Sequence, residues 1–259
     1  MCDLCPPNSN DSTAPHGVGP FAASTHEGAR HPARRGFLRA SLLAAAASWT
    51  LGTARAATAE AAANATTPAA ALKRLLEGNA RYVANAPQEK DFSVGRGARV
   101  SAQYPIAAIL SCADSRLAPE FAFDQGPGDL FVTRVAGNYV SPAVLSSLEY
   151  AVAVLDAPLV IVLGHSNCGA VSATVKGLET KDILPGTMQD IVKAILPAVI
   201  RAQGGTGGSM LERSIVENVK LQVQVLETRP SLVQSMLKDK KIEVVGAVYD
   251  LATGKIMLV

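Results

Sequence analysis

The 259-residue chain has no apolar run that reaches the roughly 18–20 residues needed to span a bilayer as a helix. It also lacks a charge excess: 24 Lys and Arg stand against 22 Asp and Glu. Residues 1–56 hold five of those positive charges (Arg30, Arg34, Arg35, Arg39, Arg55) and three of the negative (Asp3, Asp11, Glu27), so residues 57–259 carry 19 of each. A formally neutral body makes no electrostatic case for nucleic acid or an anionic membrane surface. Histidine and cysteine are scarce, four of each. His16, His26, His31, Cys2 and Cys5 all precede residue 57, which leaves His165, Cys112 and Cys168. Any soft metal site in the body of the chain must be built from these three.

What is present is an ordinary globular composition, 48% hydrophobic, 18% charged and 5% aromatic, with room for one sizeable domain. The stretch "RHPARRGFLRASLLAAAASWTLGTARAATA" sets basic residues before about a dozen apolar ones and ends at Ala54-Arg55-Ala56, an A-x-A cleavage pattern. Its "RRGFLR" core resembles a twin-arginine export signal. Residues 1–56 are therefore expected to be a signal peptide cleaved near Ala56, with a disordered leading region, and residues 57–67 a linker. The expected destination is periplasmic or extracytoplasmic, with no stable membrane anchor after cleavage. "MCDLC" contains a C-x-x-C, but no second pair accompanies it and it carries little weight.

From Pro68 onward the pattern alternates. "PAAALKRLLEGNARYVANA" reads as an amphipathic N-terminal helical arm whose stripe weakens near Gly78 and which has little of its own to pack on. "YPIAAILS" and "DLFVTRVA" read as strands, and "SPAVLSSLEYAVAVLD" as a helix with Ser141 as N-cap and Pro142 at its first position. "APLVIVLGH" is continuously apolar, the mark of a parallel strand covered on both faces. A helix opens within "SNCGAVSATVKG"; three more follow, the first kinked at Pro197, and "IEVVGAVYD", "LATG" and "KIMLV" close as strand–turn–strand. The expected architecture over residues 68–259 is a single α/β domain, a mostly parallel β-sheet flanked by helices.

In such a sheet, functional groups gather beyond the carboxyl ends of strands. Cys112, Asp114 and Arg116 follow the first strand in "AAILSCADSR"; His165 and Cys168 follow the third in "VLGHSNCG". If those strands are neighbours, two thiolates and an imidazole converge, a donor set zinc prefers, with its fourth position open. Three other readings compete on the residues alone: a Cys112–Cys168 disulfide, a lone Cys112 nucleophile, and a core histidine at 165. The C-x-x-x-R spacing is too short for a phosphate loop of the C-x5-R kind. His165 stands directly after a buried strand and three residues before Cys168, which disfavours the last reading.

"CADSR" with "HSNCG" resembles the C-x-D-S-R and H-x-x-C hallmarks of the β-class carbonic anhydrases. The likeness extends through "EFAFDQGPGDLFVTRVAGN", the "LEGNARY" arm and the closing "GAVYDLATGKIMLV", from about Ala69 to the end. It implies one Zn²⁺ per subunit on Cys112, His165 and Cys168, with water or Asp114 as fourth ligand. It implies reversible hydration of CO₂ to bicarbonate by attack of zinc-bound hydroxide. Asp114 and Arg116 acquire catalytic roles: Arg116 restrains the Asp114 carboxylate, which otherwise competes for the metal. Gln125 is implied as a substrate contact, although "DQGPGDLF" departs in spacing from the "QPGE" form. Gly169 would admit substrate or metal close to the backbone. A homodimer or larger homo-oligomer is also implied. The same zinc site also fits a relative that hydrolyses CS₂ or COS, or a non-catalytic zinc- or bicarbonate-sensing protein.

Overall fold

The computed structural model describes residues 66–181 and 184–259. The expected export signal, its A-R-A site and the Cys2/Cys5 pair lie outside the described residues.

Five strands form one sheet: β1 (Ala107–Ser111), β2 (Leu130–Arg134), β3 (Leu159–His165), β4 (Glu243–Tyr249) and β5 (Ile256–Leu258), in the order β2-β1-β3-β4-β5. All pairings are parallel except β4 with β5, which a tight turn makes antiparallel. β1 has β2 on one side and β3 on the other, so the chain order reverses there, and the crevice between the carboxyl ends of β1 and β3 is the place where such sheets bind ligands.

Alternation along the strands divides the core. Ala108, Leu110, Val160 and Val162 face one layer, with Cys112 and Cys168 at its upper end. Ala107, Ile109, Leu159, Ile161 and Leu163 face the other. Burial on both sides explains why β3 reads as an unbroken apolar run. The first layer is covered by α4 (Pro142–Ala153), α5 (Gly169–Thr180), α6 (Gln189–Ala202), α7 (Met210–Thr228) and α8 (Leu232–Lys238). The second is covered by α1 (Pro68–Val83), whose Ala71 and Leu75 are fully buried, and by the segment around Phe123. Two one-turn helices, α2 (Ala98–Ser101) and α3 (Pro119–Ala122), and a short 3-10 helix at Gly186–Met188 are also present among the described residues.

Local signals set the helix starts. Thr67, Ser141 and Ser231 cap α1, α4 and α8 through their hydroxyls, and Ser209 with Glu212 forms a capping box on α7. One detail differs from the sequence pattern. α1 runs past Gly78 to Val83 because that end is anchored by tertiary contacts: Asn79 donates to the carbonyls of Ala122 and Gly254 and accepts from Ile256 N–H. The arm therefore docks on its own sheet; its outer side, with Leu72, Leu76 and Ala80, borders an apolar hollow of about 530 Å³. α6 spans Gln189–Ala202 with Pro197 inside it, which is compatible with the expected kink. Among the described residues no helix is long and apolar enough to cross a membrane.

Candidate metal centre

β1 and β3 are adjacent, with Ser111 paired to Leu163, so Cys112 leaves the sheet beside the end of β3, where His165 stands. A left-handed residue, Asn167 (φ 53°), turns the chain sharply so that Cys168 comes back as N-cap of α5. The result is a buried cluster in which the ligand atoms of Cys112, His165 and Cys168 lie within 4.8 Å of one another. The two sulfurs are 4.0 Å apart and the cysteines are free, which removes the disulfide reading. Two thiolates on a tetrahedral zinc, each near 2.3 Å from it, stand about 3.8 Å apart. The observed spacing suits a shared metal.

His165 supplies the second test. Its Nδ1 lies 2.9 Å from the Ser166 carbonyl, an acceptor only, so Nδ1 carries the proton and Nε2 presents a lone pair. That Nε2 is buried and has no hydrogen-bond partner. Ser166 is itself fixed, its N–H donating to Tyr249 O and its Oγ accepting from Leu251 N–H. A fully buried imidazole with its tautomer set and its free nitrogen facing two sulfurs fits a metal ligand rather than a core histidine.

Electrostatics support this. The pair of thiols shares a proton unequally. Cys112 is driven down to about 4, first by the hydrogen bond from Cys168, against burial, with His165 and the Gly137 N–H adding. Cys168 is pushed up by that same bond and by burial. His165 is raised: burial opposes its charging, but the Cys112 sulfur outweighs it. The pocket thus holds one of its two sulfurs readily as a thiolate before any metal is considered.

Asp114 sits at the rim. Arg116 Nε donates to Oδ1 at 2.9 Å and Nη2 to Oδ2 at 2.8 Å, while the Arg116 backbone N–H reaches Oδ1 at 2.9 Å. These bonds hold the Asp114 carboxyl well below the usual carboxylate range. Oδ2 is 3.8 Å from His165 Nε2, close to the cluster but engaged elsewhere. Arg116 Nη2 also donates to Asn167 O, tying the β1 loop to the β3 loop.

The other expected residues fare differently. Gly169 opens α5 next to Cys168 and is exposed, and a Cβ placed there meets nothing within 4 Å. Gln125 is buried beside Phe123, to whose carbonyl its Nε2 donates at 2.7 Å, and its Oε1 has no partner. It lines a hollow of about 730 Å³ with Tyr82, Lys90, Phe121 and Tyr249, and none of the three cluster residues borders that hollow. Sequence reasoning missed Arg134, whose guanidinium donates to the carbonyls of Cys112, Asp114 and Leu117 and so shapes the loop. A charged residue closing the mostly apolar strand "LFVTR" was the available signal.

A buried Cys₂His cluster that could hold a metal, at the switch point of a mostly parallel α/β sheet and with a restrained carboxylate at its edge, is an arrangement suited to a hydrolytic or hydrating enzyme. A family profile described as carbonic anhydrase matches residues 107–256. The chain is 41% identical over 194 residues to carbonic anhydrase 2 of Mycobacterium tuberculosis (strain CDC 1551 / Oshkosh), covering 74% of this chain and 93% of that one. It is 40% identical over 192 residues to a carbonic anhydrase of Mycolicibacterium smegmatis, with the same shares. Among solved structures, the β-carbonic anhydrase CcaA superposes with a TM-score of 0.56 at 28% identity, over 72% of this chain and 86% of that one. A Coccomyxa β-carbonic anhydrase in complex with acetazolamide gives 0.56 at 27%, over 73% and 86%. The chain belongs to the carbonic anhydrases, in their β class, and is an enzyme of that family.

Proposed function

We propose that this chain is a zinc enzyme catalysing CO₂ + H₂O ⇌ HCO₃⁻ + H⁺, with Cys112, His165 and Cys168 as its metal ligands. The observation that carries this reading is the buried, unpartnered His165 Nε2 facing two free thiols. Zn²⁺ bound by that set supplies Lewis acidity, which ionises water near neutral pH. The chain's own residues do the rest. Arg116 holds both Asp114 oxygens, which keeps the nearest carboxylate from taking the open position. Asp114, ionised and 3.8 Å from His165 Nε2, is placed to accept a hydrogen bond from a water or hydroxide in the cleft. The space beside Gly169, at the N-terminus of α5, gives a small anion such as bicarbonate room next to backbone N–H groups.

Elemental analysis paired with stopped-flow CO₂ hydration tests the reading. One zinc per chain and a rate abolished by dipicolinate and restored by Zn²⁺ are expected. Full activity in a zinc-free protein overturns it. Running the same protein on COS and CS₂ separates the hydration of CO₂ from heterocumulene hydrolysis.

Two wider features belong to the same proposal. Export by a twin-arginine signal rests on "RRGFLR" and Ala54-Arg55-Ala56, and N-terminal sequencing of the secreted form is expected to begin near residue 57. A homodimer or larger assembly is supported by exposed apolar side chains near α1, among them Phe92 at 54% and Phe121 at 70%. Analytical ultracentrifugation is expected to find no monomer at micromolar concentration.

A further inference from the structure

The peptide unit of Gly137 is gripped from both sides. Its N–H donates to Cys112 Sγ at 3.3 Å, and its carbonyl accepts from Asn218 Nδ2 at 2.9 Å. Asn218 Oδ1 accepts from Gln222 Nε2 at 3.2 Å, and Gln222 Oε1 accepts from Val140 N–H at 3.0 Å. Asn218 and Gln222 stand one turn apart on the inner face of α7, 1% and 3% exposed, among Ile215, Val219 and Leu226. Two primary amides buried in an apolar layer are costly unless satisfied. Three of their bonds account for each other and for the backbone of one short loop, residues 137–140.

That loop has little slack. Gly137 has φ 82°, and a Cβ there meets Ile195 Cδ1 at 2.5 Å and Ala170 Cβ at 3.1 Å. Helices α5 and α6 therefore press it from one side while α7 pulls on its carbonyl. The N–H left over points at a sulfur.

We propose that Asn218, backed by Gln222, is a positioning residue for the metal centre: through Gly137 it aims one N–H at Cys112 Sγ and so sets how strongly that sulfur donates. The inference rests on the zinc reading above. An N–H···S bond draws electron density from the ligand; partners one shell out from a metal commonly change its affinity 10–100-fold, an order-of-magnitude figure. Without the bond, Cys112 becomes the richer donor and its sulfur orbitals rise in energy.

The test uses the Co²⁺-substituted protein, in which sulfur-to-metal charge transfer is visible in the near ultraviolet. Asn218→Leu removes the donor to Gly137 O; Gln222→Leu loosens the same loop by one step. Val223→Ala, which packs on the same helix without joining the network, controls for general weakening of α7. The expected result is a red shift of the band in Asn218→Leu. Gln222→Leu should show a smaller change in the same direction, and Val223→Ala a lower melting temperature with an unmoved band. If Asn218→Leu does not fold, Gln222→Leu alone decides. Bands that stay in place in the folded variants, or move equally in Val223→Ala, overturn the role of Asn218. Parent protein that takes up no Co²⁺ overturns the metal reading and this inference with it.

Discussion

Arg116 and Asp114 meet as a two-pronged pair, Nε to Oδ1 at 2.9 Å and Nη2 to Oδ2 at 2.8 Å, at the edge of the Cys112–His165–Cys168 cluster. A planar guanidinium uses both carboxylate oxygens at once, which a lysine in its place does not do. The pair leaves the carboxylate near the cluster and yet occupied.

Breaking that pair from either side should give different outcomes. Asp114→Asn is expected to keep zinc while CO₂ hydration falls by about 10²-fold or more, the usual weight of a lost acid–base group. Arg116→Ala frees the carboxylate, and X-ray absorption should then show one added oxygen ligand with activity lost. Wild-type rates in Asp114→Asn exclude the role given to it here.

Hydration releases a proton, and the expected mature chain has no histidine to carry it other than His165, which is 0% exposed and part of the cluster. Turnover at fixed pH should therefore rise with imidazole concentration before levelling off. A rate that is flat from low to high buffer contradicts this.

Asp124 carries a pH-dependent share of stability. Its side chain is 1% exposed and engages Arg81, Lys90 and the Gln88 N–H. Burial alone raises its pKa, but the two cations prevail and hold it down to about 2. A depressed carboxyl stabilises the fold fully above its unfolded value, near pH 4, and that contribution is lost as pH falls through the folded value. Asp124→Asn, which tolerates the φ of 50° at this position, should cost about 2 kcal/mol at pH 7 and flatten the acid limb between about pH 4 and 2. Urea melts at pH 7 and pH 3 measure both.

Gly78 decides the seating of α1. An alanine in a helix interior normally gains about 1 kcal/mol over glycine. Here its Cβ falls 1.8 Å from Phe123 O, which is backbone and cannot swing aside. Gly78→Ala should destabilise by about 1–3 kcal/mol or more and expose α1 to limited proteolysis. A neutral or stabilising effect rules out this close approach.

Much of the fold was legible because its signals are local. Ser141-Pro142 announced the start of α4, and the apolar run at 159–163 announced a strand buried on both faces. The grouping of Cys112, His165 and Cys168 was legible for a different reason: once residues 1–56 are set aside, no other histidine or cysteine remains. The extent of α1 was hidden because its last turns are held by Asn79, whose partners lie 43 and 175 residues away. Arg134, Asn218 and Gln222 were hidden likewise, since each acts on backbone groups that only the fold brings near.

By itself, then, the sequence determined the chemistry available to this protein: two thiols, one imidazole and a carboxylate with its arginine, placed just after apolar strands. Residue type and strand periodicity are properties of short stretches, so they survive without coordinates. Only the tertiary structure decided that the first and third strands are neighbours, that Nδ1 of His165 is occupied and Nε2 free, and that Asp114 is turned toward Arg116. The first depends on register between segments about 50 residues apart; the other two are contacts between near neighbours in the chain, whose geometry is set by the backbone path and burial that packing of the sheet imposes.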